Sequence, residues 1–222
     1  MGINERKTRE KETRRQQIQQ AAKELFILKG LRSTTVEDIA ARAELSPGTI
    51  YLYFKNKEDL YASLNLLSLQ RLTGEIEKVY KNKILTVEEK ILRYKDAMYD
   101  NFKQDPLLQR VIFHIQLEDT LLSIDKKTLH QLNQLGQKMM TMMANTYVDG
   151  IRQGRTSDGH GMVHADIMWA TFAGLVLWEE AKRKINPQKD FLKTTLDRAF
   201  EIFIKGIGRE GYGNIKAREQ VH

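Results

Sequence analysis

The stretch TTVEDIAARAELSPGTIYLYFKNK, residues 34–57, decides the fold. Thr35 stands where a helix N-cap belongs, and Asp38, three residues on, can reach back to complete a capping box. Val36, Ile39, Ala40 and Ala43 then recur at helical spacing as one apolar face. Ser46-Pro47 is a second start signal: a capping hydroxyl followed by the residue preorganised for the first helical position. Ile50 and Phe54 supply that helix's inward face and leave Thr49, Tyr51 and Tyr53 to face outward. Two short helices across a tight polar turn fit a helix-turn-helix (residues 35–54), whose second helix enters a DNA major groove.

Upstream, residues 2–15 show no apolar periodicity. They are expected to form a mobile basic arm or a frayed helix start, which can touch phosphates or the minor groove or do nothing specific. From about Arg15 a stripe of Ile18, Ala21, Ala22, Leu25 and Phe26 predicts a supporting helix, ended by Gly30. Residues 1–58 hold 12 Lys and Arg against 8 Asp and Glu, whereas the other 164 residues hold 24 against 21. Positive charge is therefore denser in the first quarter, which fits an anionic partner there; a solvated basic surface is the plainer alternative. There is no cysteine, which excludes disulfides and thiolate chemistry. The N-terminus has no apolar run to act as a signal peptide.

Downstream the chain predicts helices over about 58–81, 87–102, 126–152 and 189–207, with a shorter one opened by Pro106. No β pattern and no repeat is present. The run IMWATFAGLVLW, residues 167–178, is apolar except for Thr171 and too short to span a membrane. A soluble cytoplasmic protein with no membrane partner is expected. A helix apolar all round needs cover on every side. That implies either a second subunit or a fully buried central helix. Met139, Met140, Met142 and Met143 crowd one stretch, with Tyr147 beyond; Trp169, Phe172, Phe113 and His114 could face the same space. Singly, each is ordinary core. Together Phe113, His114, Met139, Met143, Tyr147, Trp169 and Phe172 make an apolar cavity for a lipophilic or aromatic effector. Gly206, Gly208 and Gly211 satisfy GxGxxG but follow a helix instead of a strand, so a tail is the better reading. His160, His164 and Asp166 start in a Gly-rich loop and are read as surface residues, not metal ligands. No cofactor, metal or catalytic motif passes its context test, and no enzyme is expected.

The run from Ile18 to Leu64 resembles the N-terminal domain of the TetR family of bacterial transcriptional repressors. The resemblance rests on Ala21-Ala22, Leu25-Phe26, Gly30, Thr34-Thr35, Ile39-Ala40, Ser46, Gly48-Thr49, Tyr51, Tyr53-Phe54 and Lys57 through Leu60. It implies an all-α fold with a helix-turn-helix domain (1–58) followed by a larger helical effector-binding and dimerisation domain (59–222). It also implies a DNA surface of Thr35, Ser46, Pro47, Gly48, Thr49, Tyr51, Tyr53 and Lys57. The last two long helices would pair with their counterparts, placing Leu175, Trp178, Leu196, Phe200 and Phe203 in a homodimer interface. The implied protein is a homodimeric repressor on a palindromic double-stranded operator, controlled by a small effector. A DNA-binding structural or division-control protein without an effector is the alternative. One residue departs from the family: Glu44 stands where glycine is usual, and is strained if that turn needs positive φ.

Overall fold

The computed structural model describes residues 2–104 and 124–208. Eight helices occur among them: α1 (Ile3–Ser33), α2 (Val36–Arg42), α3 (Pro47–Tyr51), α4 (Lys57–Lys81), α5 (Val87–Gln104), α6 (Lys126–Arg152), α7 (Gly161–Ile185) and α8 (Leu192–Ile207). The all-α fold expected from the sequence is present, and no strand occurs among the described residues, only an isolated bridge between Thr156 and Gly208. The segment opened by Pro106, with Phe113 and His114, lies outside the described residues, as does Gly211.

The described residues form two compact units: residues 2–69 with 124–133, and residues 70–104 with 134–208. In the first, Ile18, Ala22 and Phe26 of α1 share one buried core with Ile39 and Ala40 of α2, Ile50 and Phe54. Leu60, Tyr61 and Leu64 of α4 belong to the same core, so this unit continues past residue 58 into α4. Phe26 and Tyr61 meet edge to face at 5.1 Å. Each such side chain contributes about 1.5–3 kcal/mol by leaving water, which is what allows helices as short as α2 and α3 to persist.

Residues 2–15 are a correction to the sequence reading. They are neither a mobile arm nor a frayed start but the first turns of α1, which begins at Ile3. The reason is local: Gly2 N–H donates to Glu5 Oε2 at 3.0 Å, and Arg6 pairs with Glu10 one turn on. Long, straight side chains of this kind favour helix without any apolar face. Gly30 breaks the helix as expected, at φ 79°, and a final turn runs to Ser33.

In the second unit α8 packs against α5 and α7, with Leu196 and Phe200 buried. The Tyr94 hydroxyl meets Thr146 Oγ1 at 2.7 Å, and burial pushes its pKa up to about 12. Gly161 is needed where α7 starts, because a Cβ there would lie 2.6 Å from the Ala144 carbonyl oxygen. The apolar run 167–178 is the middle of a 25-residue helix, which by length and composition alone could cross a membrane. Its Met168, Phe172 and Val176 are instead buried inside the unit, and so are Glu179 and Glu180.

Candidate nucleic-acid interface

The helix-turn-helix is built by its caps. Asp38 N–H donates to Thr35 Oγ1 at 3.1 Å, and Thr35 N–H donates to Asp38 Oδ2 at 2.9 Å. Lys29 beside Asp38, together with those Thr35 bonds, holds the Asp38 carboxyl down at about 2. At α3, Thr49 N–H donates to Ser46 Oγ at 3.2 Å and Pro47 occupies the first turn. Between the helices Leu45 N–H reaches Ala40 O at 2.8 Å and Glu44 N–H reaches Ala41 O at 3.2 Å. This is a Schellman closure, which requires its C′ residue in the left-handed region. Glu44 is that residue, at φ 56°. The strain anticipated at Glu44 is therefore real.

The surface this leaves is small and specific. Pro47 and Gly48 are exposed, Thr49 and Tyr53 half-buried, and Phe54 buried. Tyr51 is 54% exposed, so only Tyr53 of the tyrosine pair packs on the core. A Cβ on Gly48 would meet nothing nearer than Ser46 Oγ at 3.8 Å. Packing within the chain thus places no demand for glycine there; an open backbone suits an approaching base edge. Thr35 is exposed, with its hydroxyl hydrogen available to a phosphate. Leu52, 78% exposed beside Tyr51, was missed by sequence reasoning because its spacing matched neither face. Lys57 is placed differently from the phosphate contact expected of it: its ammonium donates to the carbonyls of Leu31, Arg32 and Thr34 at 3.1, 3.3 and 3.1 Å. A lysine has three protons to give, and these three carbonyls at the end of α1 accept them.

Residues 18–64 match the family model described as bacterial regulatory proteins, tetR family. Over 90% of its length the chain is also 27% identical to 98% of the fatty acid metabolism regulator protein of Bacillus subtilis (strain 168). Its helix-turn-helix domain is of the TetR family. Among solved structures it is similar to the transcriptional regulator FadR from Bacillus subtilis in complex with stearoyl-CoA. There the TM-score is 0.65 at 25% identity, covering 86% of this chain and 98% of that one. The fold is also that of the TetR family regulator PfmR from Thermus thermophilus, with TM-score 0.69 at 18% identity over 86% of this chain and 99% of the other. A chain built on this domain and similar to these regulators is a DNA-binding transcriptional regulator, and the helix-turn-helix geometry fits that role.

The residues proposed for the body separate into two groups. Met139, Met143, Tyr147 and Phe172 are buried, and Trp169 is half-buried with its ring 6.3 Å from Phe172. Tyr147 is held on both sides, its hydroxyl donating to Ser157 O at 2.7 Å and its ring stacked 3.7 Å from His164. Of the proposed interface residues, Leu196 and Phe200 need correcting. Each is 1% exposed within the chain itself, so neither can meet a partner. Leu175 and Phe203 are half-buried, and Trp178 is 62% exposed. Val163, Ile167 and Leu177 of α7 are exposed with it, and so is Ile202 of α8.

Proposed function

We propose that this TetR-family regulator is a homodimeric repressor whose operator affinity is lowered by a long-chain acyl thioester such as an acyl-CoA. The observation that carries the DNA half is the capped helix-turn-helix, with Thr35, Gly48 and Tyr51 exposed and Thr49 half-buried. Hydroxyls and helix starts position a phosphate backbone, while the small residues let α3 approach the base edges. There is no Arg or Asn in α3 to read guanine or adenine bidentately, so DNA shape and apolar contact carry much of the choice of sequence. The operator is a palindrome, because two recognition helices related by a two-fold meet half-sites about 34 Å apart.

Support for the effector comes from the relatives, one described as a fatty acid metabolism regulator and another solved with stearoyl-CoA. The adaptable Met139, Met142 and Met143 in the interior of this chain suit an alkyl chain. For release, the acyl-CoA must bind the DNA-incompetent state more tightly than the competent one. The test is a gel-shift titration on the DNA upstream of its own gene, at two salt concentrations, with and without stearoyl-CoA. A specific, salt-dependent complex dissolved by stearoyl-CoA is expected. Absence of a specific complex sinks the proposal, and a complex indifferent to stearoyl-CoA sinks its effector half.

A further inference from the structure

We infer that the N-terminal overhang of α1 is a second DNA contact, which grips the phosphate backbone outside the half-site that α3 reads. The inference rests on the DNA-binding reading above. The first buried residue of α1 is Ile18, and residues 4–14 of the helix, all exposed, extend beyond the core. Where it leaves the core it is tied to the recognition motif on both sides. Arg15 Nη1 donates to Tyr53 O at 3.4 Å, with its guanidinium 4.4 Å over the Phe54 ring. Gln17 Nε2 donates to Ala43 O at 2.7 Å, beside the Glu44 turn. The overhang therefore starts at the edge of the DNA-reading surface.

Three of its cations are aligned. At 100° per residue, Lys7, Lys11 and Arg14 fall within about 60° of one another, on the same side as Ile18. Glu5, Arg9 and Glu12 share the opposite face, and Glu10, on the Arg14 side, is neutralised by Arg6. Lys7 and Lys11 make no hydrogen bond or ion pair among the described residues, and Arg14 donates only to the neutral Gln17. The side of α1 that packs on the helix-turn-helix thus continues past it as a row of cations. With about 1.5 Å of rise per residue, Lys7 lies about 12 Å beyond Arg15, a reach that spans phosphates flanking the half-site.

The experiment uses the full chain and the promoter fragment that the wild-type protein protects. The variant Lys7→Ala, Lys11→Ala, Arg14→Ala keeps helix-forming residues throughout, and unchanged circular dichroism verifies the helix. The slope of log K against log salt is expected to flatten by roughly 0.9 for each phosphate that is no longer neutralised, and the footprint to shrink at its outer edges only. The charge-preserving variant Lys7→Arg, Lys11→Arg, Arg14→Lys should restore the slope. On a fragment trimmed to the two half-sites, wild type and alanine variant should bind alike. An unchanged slope and footprint on the long fragment overturn the inference while leaving the regulator reading intact. Failure of the wild-type chain to bind any fragment overturns both.

Discussion

Glu44 carries a cost that its neighbours impose. The Schellman closure from Leu45 to Ala40 fixes φ at 56°, and a residue with a Cβ loses about 1–2 kcal/mol in that region. Glycine regains this but gives back about 0.4–1 kcal/mol in unfolded-chain entropy. Glu44→Gly should therefore raise the stability of the protein by up to about 1 kcal/mol in urea unfolding; a loss would show that the Glu44 side chain makes a compensating contact. Gly48 is the converse case, with open space where a Cβ would go. Gly48→Ala should stabilise the fold by about 0.5 kcal/mol, because alanine is the better helix former. Operator affinity should nevertheless fall by about tenfold, equivalent to about 1.4 kcal/mol, and unaltered affinity would rule out close approach at this position.

Between elements, the decisive polar contact joins α5 to α8. Lys95 is nearly buried and bonds Asp197, which also accepts from Lys193; Asp96 lies 3.0 Å from the same ammonium. Lys193, and then Lys95, hold the Asp197 carboxyl below its usual range. Burial pulls the Lys95 ammonium down, but its bonds to Asp197 and Asp96 outweigh that and leave it raised. The lowered carboxylate contributes stability above its unfolded value near 3.9, and this is lost as pH falls through the folded value. The raised ammonium contributes below about 10.4, and this is lost as pH rises through its folded value. Asp197→Asn should cost about 1–3 kcal/mol, toward the low end because Asp197 is about one-third exposed. That difference should hold level from about pH 5 to 9 and shrink below about pH 4 in chemical denaturation. A difference that persists in acid would assign the effect to packing.

For the whole molecule, the exposed apolar stripe on α7 is the surface on which the proposed second subunit would dock. Val163, Ile167, Leu177 and Trp178 recur at helical spacing along α7, with the small Ala170 and Gly174 exposed between them. Small residues amid large ones let a partner helix approach closely, as an isologous two-fold contact needs. Trp178→Glu together with Leu177→Glu should halve the mass in sedimentation and weaken operator binding, with helix content unchanged. A variant that still sediments as the wild type would place the subunit contact elsewhere. The same surface explains how a helix apolar enough for a membrane can belong to a regulator: one face is spent on its own core.

The sequence by itself determined the helix-turn-helix. Capping by Thr35 and Asp38 and initiation at Ser46-Pro47 each depend on groups within three residues, so residue order is enough to specify them; Glu44 stood out only against the family pattern, and the structure supplied its positive φ. The overall run of helices was legible for the same reason, since apolar periodicity is local. What only the tertiary structure decided involves partners far apart in the chain. Lys57 is a DNA-surface residue by the family resemblance, yet the fold wraps the carbonyls of residues 31, 32 and 34 around it. Leu196, Phe200 and Trp178 are all large and apolar, but the first two complete the chain's own core while Trp178 remains outside it. Hydrophobicity specifies that a side chain should leave water; the packing of the other helices determines which surface covers it.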